Sequence, residues 1–168
     1  MNFAAEIGNI LGSCVCIVGV GNAIRKDDGV GVYLAGSLQR LVREPHVRVI
    51  NAEDILESYA FEIADGPCEA VLLIDAVHTN SDPGTVLFGQ LDDFGAIMED
   101  FSTHKLSLRL AGKIWKNAGK KTYLLGIEAG DIDFGSDMTP AVKKSADMLR
   151  DCIISTLHST RKEYVYEQ

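Results

Sequence analysis

The sequence predicts an α/β fold, a three-layer α/β/α sandwich around a mostly parallel sheet of about five strands. Short apolar runs rich in β-branched residues, such as residues 14–20 and 70–74, are typical of parallel strands buried on both faces. Segments with apolar residues at helical spacing lie between these runs, and this alternation indicates an α/β sandwich. The 168 residues contain no internal repeat or linker, so residues 1–168 are expected to form a single domain.

Each strand is predicted from an apolar run that ends at turn residues. The third run is followed by Asp75, which is expected to end its strand, and Pro83 places the fourth strand at an edge of the sheet. The predicted strands cover residues 14–20, 47–50, 70–74, 84–91 and 122–127.

The helices are predicted from apolar spacing and from residues typical of helix ends. They are expected at residues 30–41 and 55–63, from a cap at Ser102 or Thr103 through Trp115, and from residue 139 onward. The first dozen residues and the tail from Arg161 are expected to be loose ends. The expected caps and stops are Pro45, Ser102 or Thr103, Gly119, and Thr139 with Pro140.

Composition and charge exclude several classes of protein. With 46% hydrophobic residues the chain is too apolar to be disordered, and no apolar run approaches the ~18 residues of a membrane helix. The N-terminus has no basic region followed by an apolar one, so we expect a cytoplasmic protein. A net charge of −8 makes nucleic acid a poor partner. The lack of heptads or long exposed apolar segments favours a monomer.

The four cysteines do not indicate a metal or redox motif. Cys14 and Cys16 alternate along one predicted strand and do not form Cys-x-x-Cys with each other or with Cys68 and Cys152. They are expected to be reduced thiols that fill space in the core.

A glycine-rich loop follows the first strand, but it does not fit a nucleotide site. Gly19 and Gly21 match the start of a dinucleotide-binding motif, whereas Ile24 occupies its third glycine position. Asp27 and Asp28 would repel a pyrophosphate, and the Gly-Lys-Ser/Thr, His-Glu-x-x-His and Gly-x-Ser-x-Gly motifs are absent. No organic cofactor is expected.

Three residues are candidates for a metal-binding site. Asp28 and Asp75 follow predicted strands, whose carboxyl ends form the ligand-binding edge of an open α/β sheet, and His104 lies at a predicted helix start. Two carboxylates and one imidazole suit divalent Zn, Ni, Fe or Mn. The alternatives are a helix cap for Asp28, a turn for Asp75 and a structural role for His104. His78 is the strongest spare histidine because it follows Asp75 by three residues.

Residues 19–31 read Gly-x-Gly-Asn, four further residues, then Asp-Asp-Gly-x-Gly, and this run resembles the opening signature of the hydrogenase maturation endopeptidases. Residues 72–76, 102–106, 125–128 and 138–140 resemble further segments of that family in order and spacing. The resemblance covers about residues 14–157 and implies the three-layer fold predicted above. The family trims the C-terminus of the large subunit of nickel–iron hydrogenases.

The resemblance implies roles for the three candidate residues. The metal-contacting positions of the family fall on Asp28, Asp75 and His104. They would bind nickel already inserted in the hydrogenase large-subunit precursor, so the nickel is supplied by the substrate, and a C-terminal extension is then cleaved. Asp28 is the candidate general base. Binding through the metal would favour metal-loaded over empty precursor.

One segment departs from the family pattern. Many relatives carry a Gly-Thr-containing loop after the second strand, whereas residues 51–58 here run from Asn51 to Ser58 without it. This loop is expected to border the cleft, which leaves the identity of the cognate hydrogenase open. Two other functions remain as alternatives: a non-catalytic nickel-sensing assembly factor, and a metallohydrolase of the same fold with another substrate.

Overall fold

Five strands form one sheet in the computed structural model, which describes residues 3–94 and 102–166, with side chains to residue 159. The strands are β1 (Val15–Val20), β2 (Val47–Glu53), β3 (Ala70–Val77), β4 (Val86–Gln90) and β5 (Lys121–Glu128). Their order is β2-β1-β3-β5-β4, in which only the edge strand β4 pairs antiparallel. The prediction of a mostly parallel sheet with the fourth strand at an edge is therefore confirmed.

Helices cover both faces of the sheet. The α-helices are α1 (Phe3–Leu11), α2 (Val30–Leu41), α3 (Ala60–Asp65), α4 (Lys105–Asn117) and α5 (Pro140–Tyr166). Short 3-10 helices cover Lys26–Gly29, Leu56–Ser58 and Leu91–Phe94. Within the described ranges, no helix combines the length and the apolar character needed to cross a membrane.

Two separate apolar clusters form the core, one on each side of the sheet. The first joins the sheet to α1, α2 and α5 through residues such as Leu11, Leu38 and Ile153. The second joins it to α3 and α4, where Trp115 is fully buried and donates its indole N–H to the Ala60 carbonyl at 2.9 Å. This arrangement is the predicted three-layer sandwich.

The structure corrects several predicted boundaries. The first dozen residues are not loose, because α1 buries Ile7, Ile10 and Leu11 against the core. The backbone of α5 likewise continues past Arg161 to Tyr166. β3 does not stop at Asp75 but continues for two residues to Val77. The predicted second helix is broken into a 3-10 turn and α3.

The glycines of the 19–31 motif allow α2 to pack very closely on the sheet. A Cβ added at Gly31 would lie 2.2 Å from the Val20 carbonyl oxygen and 2.3 Å from that of Ile74. Gly19 faces Gly31 across the same contact. The motif therefore brings the start of α2 against the ends of β1 and β3, rather than forming a phosphate cradle.

We predict that Gly31→Ala destabilises the protein by about 3 kcal/mol, because the new methyl group would overlap backbone atoms that have no rotamer to change. Thermal unfolding measured by circular dichroism tests this prediction. Gly36→Ala is the matched control in the same helix, since its added Cβ would meet nothing closer than Asn51 at 3.9 Å. That control should be neutral or stabilising, and equal melting of both variants would contradict the packing argument.

Candidate functional site

Asp28 lies in the 3-10 helix Lys26–Gly29 and is only 1% exposed. Its Oδ1 accepts a hydrogen bond from the Thr103 hydroxyl at 2.7 Å, and its Oδ2 lies 3.5 Å from Nε2 of His104. The N-cap residue of α2 is Gly29, without a side-chain capping bond, so Asp28 is not the helix cap that the sequence left as an alternative.

Gly21 holds the loop that carries Asp28 in place. It has φ of +146°, and a Cβ there would lie 2.0 Å from the Asp28 carbonyl oxygen. Only glycine fits both the dihedral angle and the close approach. The same carbonyl accepts the backbone N–H of Asn22 at 3.2 Å.

His104 is the N-cap residue of α4, and its side chain is 12% exposed. Its backbone N–H donates to the Ser102 hydroxyl oxygen at 3.0 Å. Its Nε2 is buried without a hydrogen-bond partner among the described residues, because the 3.5 Å approach to Asp28 lacks hydrogen-bond geometry. A buried unpartnered ring nitrogen is costly, and a ligand could satisfy it.

Asp75 lies inside β3 and is fully buried. Its Oδ1 accepts the Ala76 backbone N–H at 2.9 Å, and its Oδ2 accepts the Ser102 hydroxyl at 2.5 Å. Ser102 in turn accepts the backbone N–H of His104, so Asp75 is linked to the histidine through one hydroxyl. Ser102 and Thr103, predicted as caps of α4, thus donate to the two aspartates instead.

The three ionisable groups shift one another's pKa values. Burial raises the pKa of Asp28, but the contacts with His104 and Thr103 outweigh it and hold that pKa below its ordinary value. The Asp28 carboxylate raises the pKa of His104 against the opposing effect of burial, and the charge of Asp75 adds to the rise. Complete burial raises the pKa of Asp75 to about 7, although His104 and Ser102 oppose it. Asp28 and His104 therefore favour each other's charged forms, beside a carboxyl group that titrates near neutral pH.

The sequence-predicted residues meet at one edge of the sheet, but their side chains are not arranged as a finished metal cage. Across residues 3–94 and 102–166, no three His, Cys, Asp or Glu side chains are spaced to hold one ion. His78 lies just beyond β3 with a buried, unpartnered Nε2, and no described contact joins it to the Asp28–His104 pair.

Asp27 lies in the same 3-10 helix as Asp28, and its role was not predicted from the sequence. It is fully buried, and its carboxylate accepts hydrogen bonds from the backbone of Gly130, Asp131 and Thr139 and from the Thr139 hydroxyl, at 2.7–2.9 Å. Thr139, predicted as a cap of the last helix, is thus bound to Asp27 by both its groups. Through these hydrogen bonds, Asp27 holds the loop between β5 and α5 against the loop that carries Asp28.

Two further features border this edge. Glu128, 4% exposed at the end of β5, accepts the backbone N–H and the hydroxyl of Thr79 at 2.7 Å each, which accounts for its burial. The atypical loop 51–58 borders the same edge, as predicted, because Gly21 donates its N–H to the Glu53 carbonyl and Ser107 donates its hydroxyl to Glu57.

Comparison with known proteins identifies the family of the chain. A sequence model described as hydrogenase maturation protease (HycI) matches residues 32–156, which include Asp75 and His104 and begin directly after the Asp28 loop. A Methanocaldococcus jannaschii protein that is named as a proposed hydrogenase maturation protease is 28% identical over 153 residues, or 86% of this chain and 89% of that protein.

Solved structures agree with the family model. The nickel–iron hydrogenase maturation protease HycI from Thermococcus kodakarensis KOD1 superposes with a TM-score of 0.78 at 27% identity, covering 91% of this chain and 99% of that one. The hydrogenase maturating endopeptidase HybD from Escherichia coli gives 0.72 at 19% identity over 89% of this chain and 93% of that one, which supports the fold. The chain therefore belongs to the hydrogenase maturation protease family.

Proposed function

We propose that this protein cleaves the C-terminal extension from the nickel-loaded large-subunit precursor of a nickel–iron hydrogenase, and that it recognises the precursor through the nickel ion. The observation that carries this proposal is the Asp28–His104 pair, in which Nε2 of a buried imidazole faces a carboxylate without a hydrogen bond. An imidazole nitrogen and a carboxylate oxygen are both good ligands for a divalent transition metal.

The geometry suits an ion that arrives with ligands of its own. Asp28 and His104 offer two adjacent donor atoms, and the precursor would supply the remaining ligands. Asp75 would join them through a free lone pair, since each of its oxygens accepts one hydrogen bond, or would orient His104 through Ser102. We propose Asp28 and His104 as direct nickel contacts and Asp75 as a third contact whose side chain would have to move, because the three side chains are not spaced to hold one ion in this structure.

Asp28 remains the proposed general base. Its lowered pKa keeps it ionised at neutral pH, and the Thr103 hydroxyl orients one of its oxygens. An ionised carboxylate next to a metal-polarised water can accept the proton that the attacking water releases.

The surface beside the acids suits a polypeptide substrate. Phe134 is 82% exposed and Ile24 is 56% exposed. Their loops are joined by the Gly135 N–H, which donates to the Ile24 carbonyl at 2.9 Å, so both apolar residues flank the loop that carries Asp28. Such neighbouring exposed apolar side chains are a feature of protein-binding surfaces.

We predict that His104→Gln lowers cleavage of nickel-loaded precursor by ~100-fold or more, because the variant lacks the imidazole nitrogen. The assay mixes purified protein with each large-subunit precursor of the source organism, prepared with and without nickel, and reads the C-terminal mass. Wild-type protein should cleave only nickel-loaded precursor. His46→Gln is the matched control, since His46 contacts the Leu11 carbonyl in another part of the fold.

The same assay separates the two alternatives. Binding of nickel-loaded precursor without any cleavage would favour a non-catalytic assembly factor. Cleavage of unrelated peptides by the free protein with added metal would favour a metallohydrolase of another specificity. Full cleavage by His104→Gln would refute the proposed role of the imidazole.

A further inference from the structure

A pair of thiols lies near the amino ends of β1 and β3, at the opposite end of these strands from the Asp28–His104 pair. Cys14 directly precedes β1, and Cys68 lies two residues before β3. Their Sγ atoms are 3.0 Å apart, with the Cys14 thiol donating to Cys68. Neither cysteine is in a disulfide in the structure.

The backbone holds the two thiols against each other. Glu69 and Ala70 both donate their N–H groups to the Cys14 carbonyl, at 3.0 and 3.2 Å. Lys120 donates its ammonium group to the carbonyls of Gly66 and Cys68, at 2.8 and 2.7 Å, and so fixes the chain that leads into β3. Each sulfur needs to move by only about 0.5 Å to reach the bonding distance of a disulfide.

We propose that Cys14 and Cys68 are an oxidative modification site that forms a reversible disulfide with a small-molecule disulfide as the oxidant. In the first step the Cys14 thiolate attacks the small disulfide, which gives a mixed disulfide on Cys14 and releases one small thiol. In the second step the Cys68 thiolate attacks the Cys14 sulfur, closes the protein disulfide and releases the second small thiol. The two protein thiols lose two protons and two electrons, and the small disulfide is reduced to two thiols.

Exposure and acidity set the order of these steps. Cys14 is half-buried, whereas Cys68 is only 6% exposed, so the oxidant reaches Cys14 first. Burial, together with the neighbouring Cys14, raises the pKa of Cys68 to about 11. Cys68 is therefore a scarce thiolate at neutral pH, and the mixed disulfide on Cys14 is expected to accumulate before the ring closes.

The other two cysteines are poorly placed to compete. Cys16 is 2% exposed, and burial with the nearby Cys68 raises its pKa to about 12. Cys152 lies on α5, and no described contact brings another cysteine to its sulfur.

The disulfide would tie β1 to β3 across the 54 positions that separate the two cysteines. A cross-link over a segment of that length restricts the unfolded chain strongly. The disulfide would lie at the opposite end of the strands from Asp28 and His104. It should therefore raise the stability of the protein and leave the geometry of that pair unchanged.

The test incubates the full-length protein with oxidised glutathione and follows its free thiols, intact mass and peptide map. We expect a transient glutathione adduct on Cys14, then a Cys14–Cys68 disulfide, with the melting temperature raised by about 5 °C or more and restored by a reductant. Cys68→Ser should stop at the Cys14 adduct, and Cys152→Ser should close the disulfide as the wild type does. A Cys14–Cys16 disulfide, a persistent glutathione adduct on Cys14 of the wild-type protein, or four unreacted thiols would each overturn the proposal.

Discussion

Asp27→Asn is expected to destabilise the protein far more than the same change at its neighbour Asp28. The Asp27 carboxylate accepts four hydrogen bonds from donors that include three backbone N–H groups. An asparagine oxygen can replace Oδ2, which accepts three of the bonds, but its NH2 group would then face the Thr139 N–H that donates to Oδ1. That bond would be lost with a buried donor left unpaired, and the other three would no longer be made to a charged acceptor. We expect a loss of about 3–5 kcal/mol, or ~10 °C in melting temperature.

Asp28→Asn is the matched control for this prediction, since it makes the same chemical change one residue away. The Asp28 side chain accepts one hydrogen bond, from Thr103, which an asparagine oxygen can keep. Asp28→Asn should therefore stay within about 1 kcal/mol of wild type while losing ~100-fold or more in precursor cleavage. Differential scanning calorimetry and the C-terminal mass assay measure the two effects. Equal melting temperatures of the two variants would contradict the division of roles within the pair.

The different roles of Asp27 and Asp28 show what could and could not be predicted from the sequence. The strand ends and the Asp-Asp pair placed Asp28 and Asp75 at one edge, because the carboxyl ends of parallel strands meet there. The sequence of the Asp-Asp pair does not show which of the two carboxylates faces this edge of the sheet. That choice depends on Gly130 and Thr139, more than 100 positions away, whose N–H groups converge on Asp27.

The hydroxyl groups before α4 illustrate the same limit. Ser102 and Thr103 have the chemistry of helix caps, and the sequence assigned them that role. A hydroxyl that can cap a helix can equally donate to a carboxylate, and here both donate to aspartates brought near by folding. The missed helix α1 has a similar cause, since a nine-residue helix is stabilised mainly by burial of residues such as Ile7 and Leu11.

Asp75→Asn is expected to stabilise the protein at pH 8 while impairing precursor cleavage. The Asp75 carboxyl group is fully buried, and its pKa is raised from 3.8 to about 7. Above pH 7 the folded protein therefore carries a buried negative charge that burial disfavours. An asparagine keeps the hydrogen bond from Ala76 and can donate to Ser102, so the charge is removed with little loss of contacts.

The sign of the pH dependence follows from the direction of the shift. Between about pH 4 and pH 7 the folded state binds the Asp75 proton more tightly than the unfolded state, so this group makes the wild type less stable as the pH rises. The Asp75→Asn variant does not lose stability in this way as the pH rises. The excess of its free energy of unfolding over that of the wild type should therefore grow with pH and reach about 2–4 kcal/mol at pH 8. Denaturant unfolding of both proteins at pH 5 and pH 8 measures the difference, which should be smaller at pH 5.

The Asp75→Asn change should lower the rate of precursor cleavage while it raises the stability of the protein. Without the Asp75 carboxylate a proposed nickel contact is lost, so processing of nickel-loaded precursor should slow by ~10-fold or more. Asp92→Asn, which changes an exposed carboxylate paired with Lys116, is the matched control and should alter neither property. A variant at position 75 that is less stable than wild type at pH 8, or equally active, would show that the carboxylate is kept for packing. The expected result, a more stable but less active enzyme, would show that this buried charge is retained for function at a cost in stability.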